Sequence, residues 1–183
     1  SGFLITTLLM REHRSTGRIS LVDFWRRRAR RLLPALTLVV IACASAAWMI
    51  GGDVLVRLGA QIVGAFTFSY NWVALSGGDG YFAATTPELF RNMWSLAVEE
   101  QFYLLWPIVL PLFLMLPRSW ARVTAALVAA TASAVWMGAV VASGGDLTRA
   151  YFGTDTHAFG LLLGVALAFC MAPLLRRLAV GDL

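Results

Sequence analysis

Two adjacent carboxylates, Glu99 and Glu100, stand near the start of MWSLAVEEQFYLLWPIVLPLFLML (Met93 to Leu116), a run otherwise apolar enough to cross a bilayer. A charge at the bilayer centre costs about 2.5–3.5 kcal/mol on insertion scales, so acids in such a run need a reason. On a helix, Ser95, Glu99, Tyr103 and Trp106 follow at steps of four, four and three and share a face. Glu100 points about 100° away from Glu99, yet it also reaches Tyr103 three positions on. A stripe of carboxylate, phenol and hydroxyl can hold a proton, orient a hydroxyl nucleophile or bind a sugar. Desolvation favours the protonated form of a carboxyl group, which general acid–base chemistry exploits. Pro107 and Pro111 predict a bend that opens space beside the stripe. The plainer alternative is that both acids mark the membrane boundary and the span begins at Gln101.

A second group with chemical potential is cationic. Arg26, Arg27, Arg28, Arg30 and Arg31 directly precede Leu32. One reading is topological, with positive charge anchoring the inner end of a span. The other is binding of a cytosolic polyphosphate, since guanidinium forks match phosphate oxygens in bidentate fashion. Arg28 and Arg31 stand three positions apart and would clamp one anionic group together.

The elements that must position these groups follow from composition. Of 183 residues, 59% are hydrophobic, above the roughly 45–50% of globular domains, and they fall in long blocks nearly free of charge. Spans of about 20 residues require such blocks and soluble cores do not. The expected fold is therefore all-α, a polytopic transmembrane helical bundle in a lipid bilayer. Residues 1–10 read as the end of a membrane helix and residues 11–31 as a basic cytosolic loop, in which Ser20 caps a short helix from Leu21. Spans are expected at Leu32–Ile50, Ser95–Leu116, Ala121–Ala142 and His157–Pro173. Leu58–Leu75 is weaker, with Gln61 and Asn71 inside it, and reads as re-entrant or interfacial. In the last span, Gly160-x-x-x-Gly164 suggests close helix packing.

The basic residues are all arginine, and eight of the fifteen lie between Arg11 and Arg31, against only Glu12 and Asp23. Arginine favours cytoplasmic loops, which places 11–31 inside and the loops 76–94 and 143–156 outside. Nothing aromatic interleaves the arginines as a base-stacking surface would, so nucleic acid is not an expected partner. Cys43 and Cys170 sit alone in apolar runs, and His13 and His157 are far apart, so no metal-ligand spacing is present.

Several segments in order, SGFLIT, FWRRRARRLLPAL, GYF (Gly80 to Phe82), WSLAVEEQFYLLWP and YFGTDTHAFGLLLGVALAF, resemble the acyltransferase 3 family of bacterial integral membrane O-acyltransferases. The resemblance spans nearly the whole chain, and WSLAVEEQFYLLWP is its most specific part. It implies transfer of an acyl group, usually acetyl, from cytosolic acyl-CoA to a hydroxyl of a cell-envelope or lipid-linked glycan, at the bacterial inner membrane. It places acyl-CoA contacts on Arg27, Arg28 and Arg31 and catalysis on Glu99, Glu100 and Tyr103. Acceptor contacts fall on Tyr81, Trp94, Ser95, Asp155 and His157. It also implies a first membrane helix with an essential histidine ahead of Ser1, so residues 1–183 read as a partial domain that lacks its catalytic base by itself. Two positions depart from the pattern: Asn92 stands where many relatives carry histidine, and His157 where they often carry arginine.

Two other function classes compete. A proton-coupled transporter or flippase would use buried glutamates as a relay, but the paired inverted repeats such folds often show are not visible. A non-catalytic remnant is the third reading.

Overall fold

The computed structural model describes residues 1–76, 88–144 and 147–181, with 174–181 described by backbone alone. Eight α-helices order these residues: α1 (Gly2–Thr16), α2 (Leu21–Ile50), α3 (Leu58–Phe66), α4 (Tyr70–Ser76), α5 (Met93–Met115), α6 (Ser119–Ala142), α7 (Leu147–Phe152) and α8 (Thr154–Gly181). Among the described residues no strand occurs, and four stretches are long and apolar enough to cross a membrane: α2, α5, α6 and Leu147–Pro173. Outward-facing apolar side chains such as Leu38, Ile41, Leu104, Leu112, Val128 and Val135 run along them. In water such surfaces would be a liability, whereas in lipid they are the expected exterior. The chain is a multi-pass membrane protein.

Three expected boundaries are corrected. The basic stretch 11–31 is largely helical. α1 continues to Thr16, where Gly17 (φ 74°) ends it by donating its N–H to the His13 carbonyl. α2 then starts at Leu21 and runs unbroken through the arginines and Pro34. Arginine is a good helix former, so charge marks a membrane boundary here without ending the helix. Ser20 does occupy the capping position, but its hydroxyl donates to Asp23 (2.7 Å) rather than accepting a backbone N–H. Leu58–Leu75 is not one element: α3 ends at Phe66, Phe68 takes a left-handed φ of 51°, and α4 starts afresh at Tyr70. Neither piece reaches the length of a span.

The chain divides into two compact units, each with its own core. The first comprises Ser1–Ile19, Phe102–Ala139 and Asp155–Leu183. In it α1 and α8 meet through small residues. A Cβ added at Gly164 would lie 2.7 Å from the Phe3 backbone nitrogen, and one at Gly2 would collide with the Leu161 carbonyl. Gly160 faces open space, so only the second glycine of the GxxxG pair makes the expected close contact. Around this crossing, Phe113 stacks on Phe169 at 5.9 Å and Trp106 meets Phe113 edge-on at 5.3 Å.

The second unit comprises Ser20–Gln101 and Val140–Thr154. Its core joins Leu36 and Val40 of α2, Ala65 of α3, Tyr70 of α4, and Phe90 and Ala97 leading into and along α5.

Candidate functional site

The site grows from α5. Its first part, MWSLAVEEQ, belongs to the second unit and puts Glu100 on the face turned toward α2. Glu100 is 8% exposed, the most deeply buried of the described acids that carry an ion pair. Arg28 reaches it across the helix pair. Arg28 Nε donates to Oε2 at 2.7 Å and to Oε1 at 3.0 Å, and Nη2 donates to Oε1 at 2.5 Å. Such charge-assisted fork geometry is the strong form of the hydrogen bond and fixes both side chains. At 1.5 Å per residue, Glu100 lies about 10 Å along α5 from Met93 and about 22 Å before Met115, so the pair sits well inside the helix. An unpaired charge there would be expensive, and the pairing offsets part of that penalty.

Glu100 is the carboxylate that the Arg28 guanidinium holds. The 100° offset between neighbours sends Glu100 toward α2 and leaves Glu99 half-buried. Arg28 is engaged by Glu100, while Arg31, like Arg27, is exposed.

Directly beside Glu100, Gln101 begins a buried amide network. Gln101 Nε2 donates to the Phe68 carbonyl (2.7 Å) and to Asn71 Oδ1 (3.0 Å). Asn71, fully buried, donates from Nδ2 to the Phe152 carbonyl (3.0 Å) and to the Thr154 hydroxyl (2.9 Å). Thr154 completes the ring by donating to Gln101 Oε1 at 2.5 Å. The three side chains thereby tie α4, α5 and the α7–α8 corner together with their polar atoms satisfied, the condition under which a buried network rigidifies a fold. The bond to Phe68 also holds that residue in its uncommon left-handed conformation. Asn71 had shown itself in the sequence only as a polar residue in an apolar run, and nothing there announced partners 30 and 83 positions away.

Aromatic rings line the same unit. Trp94 packs against Tyr151 at 4.6 Å and edge-on against Phe152 at 5.3 Å. Trp72 donates its indole N–H to Gln101 Oε1 (3.4 Å), and the Arg149 guanidinium lies 5.3 Å from its ring. Sequence reasoning missed Trp72, Arg149, Asn71 and Gln101. At the edge of the core, Tyr70 donates to Glu88 at 3.2 Å, and burial first, then the Glu88 charge, pushes its phenol well above the usual range.

The remaining predicted residues separate. Ser95 is exposed and donates to the Asn92 carbonyl (3.3 Å). Tyr103, Asp155 and His157 belong to the first unit. There Tyr103 is buried beside Phe102, and Asp155 accepts from the Trp136 indole at 2.8 Å while its carbonyl accepts from Ser133. His157 is half-buried, with its ring 6.1 Å from Phe159. Tyr81 lies outside the described residues.

In a multi-pass helical protein, a carboxylate clamped by a guanidinium within a candidate span marks a functional site. Residues 1–178 match the acyltransferase domain family, and the chain belongs to that acyltransferase 3 family. It is similar to the peptidoglycan O-acetyltransferase OatA of Listeria monocytogenes, at 37% identity over 173 residues, covering 92% of this chain and 28% of that protein. It is also similar to a candidate O-acetyltransferase of Staphylococcus aureus, at 36% identity over 176 residues, covering 94% and 29%. A candidate peptidoglycan O-acetyltransferase of Bacillus subtilis, YrhL, shares 36% identity over 170 residues, covering 92% and 27%. The chain thus spans less than a third of the length of these relatives. No solved structure matches.

Proposed function

We propose that the protein containing this chain is a membrane O-acetyltransferase of the bacterial inner membrane. It moves an acetyl group from cytosolic acetyl-CoA to a hydroxyl of a cell-envelope glycan. Family membership and the names of the relatives support the reaction class. The single observation that carries the residue assignment is the Arg28–Glu100 pair inside α5.

The chemistry explains the parts. The acceptor oxygen attacks the thioester carbonyl, a C–O bond forms, the C–S bond breaks, CoA leaves as the thiolate, and the hydroxyl proton passes to a base. A sugar hydroxyl is a weak nucleophile until that proton is taken. Arg27 and Arg31, exposed on α2, suit the diphosphate and phosphate of CoA. Arg28, aligned by Glu100, holds the floor of the site at a fixed depth and orients charge toward the transferring group. Glu99, next on the helix and less buried, is the acid best placed to meet the acceptor hydroxyl. Trp94, packed on Tyr151, offers an aromatic wall of the kind that stacks on sugar rings.

Membranes carrying the full-length protein, incubated with acetyl-CoA labelled in the acetyl group, test the reading. Label appearing in envelope glycan supports it. Label no higher than in membranes without the protein, with the protein present and inserted, sinks it.

A further inference from the structure

A cavity of about 120 Å³ lies within the first unit, walled by Met10, His13 and Arg14 of α1, Leu114 of α5 and Arg122 of α6. Three of these five residues carry basic side chains, and no acid is among them. The space equals about four waters of liquid volume, room for a phosphate-sized anion and a water. The group is built rather than incidental. Arg122 is fixed from behind, with Nε donating to the Leu116 carbonyl at 2.9 Å and Nη2 to the Leu114 carbonyl at 3.0 Å. Those bonds satisfy carbonyls at the end of α5 that would otherwise repel an anion. They engage two of the five N–H donors a guanidinium carries. The start of α6 also bears Trp120, 61% exposed, with the Arg118 guanidinium 5.9 Å from its ring. Aromatic side chains beside arginine mark the membrane–water boundary, where phosphate groups are concentrated.

We propose that His13, Arg14 and Arg122 form a binding site for a phosphate-type anion, supplied by a lipid headgroup or by a soluble phosphate. The site shares no residue with those assigned to acyl transfer and does not depend on the reaction assigned above.

The test uses the full-length protein in phosphatidylcholine nanodiscs and reads the melting temperature in two arms. One arm replaces part of the lipid, at roughly four parts phosphatidylcholine to one part phosphatidylglycerol, and the other adds inorganic phosphate to the neutral discs. The melting temperature is expected to rise in at least one arm. A rise in the lipid arm alone identifies a headgroup, and a rise with inorganic phosphate identifies a soluble anion. Arg14→Gln should weaken the response about fivefold in apparent affinity, and His13→Ala should also weaken it. Arg11→Gln removes the same charge from α1 outside the cavity wall and should leave it intact. No rise in either arm overturns the proposal. So does a rise that Arg14→Gln and His13→Ala leave unchanged, or one that Arg11→Gln weakens as much as Arg14→Gln.

Discussion

Arg28 and Glu100, 72 positions apart in sequence, close a forked ion pair between α2 and the first part of α5, with Nε to Oε2 at 2.7 Å. Each charge is tolerated because of the other. Removing one partner strands the other in a poorly solvated place, so the singles should be far worse than the double. We expect Arg28→Met or Glu100→Leu alone to destabilise by about 2–4 kcal/mol, with the double variant closer to wild type than either. Unfolding in detergent, arranged as a double-mutant cycle, gives the coupling. Additive effects would mean that the pair is not formed.

The Asn71 network makes a separate prediction. Asn71→Ala removes bonds to Phe152, Thr154 and Gln101 and leaves those groups without their partner, at a cost of about 2–3 kcal/mol. Asn71→Asp keeps the size but replaces the donating amide, and should be comparably destabilised. Thermal unfolding followed by circular dichroism checks both. A wild-type melting temperature for Asn71→Ala would show that the clasp contributes nothing.

The two glycines of Gly160-x-x-x-Gly164 should behave oppositely. Gly164→Ala pushes a methyl group to 2.7 Å from the Phe3 nitrogen and should cost about 1–3 kcal/mol. Gly160→Ala meets nothing and should be neutral or stabilising by up to about 1 kcal/mol through helix propensity. Equal effects in an unfolding titration would contradict the close approach of α1 and α8.

If Arg27 and Arg31 hold the phosphates of acetyl-CoA, Arg31→Gln should weaken its binding about fivefold near the membrane surface, and less as salt rises. Equilibrium binding at low and high ionic strength measures this. An affinity that does not change at either salt would return the exposed arginines to a purely topological role.

How much was legible in the sequence follows from which physics leaves a local trace. Uncharged blocks announce membrane helices by length alone, and α5, α6 and α8 fall where the blocks are, each starting two or three residues early. Charge was a poorer guide, because arginine is at home in helices: the helix expected from Leu21 is present, but it runs on through the arginines and is one element with the span expected at Leu32–Ile50. The same chain shows that a motif gives residues without giving partners. Both acids stood out in WSLAVEEQFYLLWP, but helical phase alone names no cationic partner for either. Only the packing of α2 on α5 reveals that Glu100 meets Arg28. The Asn71–Gln101–Thr154 ring was illegible for the same reason, since its members come from three distant segments with no common period.

The most direct test replaces Glu100 by glutamine in the full-length protein. The amide keeps the size but cannot offer Arg28 a charged fork. Labelled acetyl transfer from acetyl-CoA to envelope glycan should fall by about 100-fold or more while the protein remains inserted at wild-type abundance. Transfer within about twofold of wild type would contradict a role for the Arg28–Glu100 pair in the reaction.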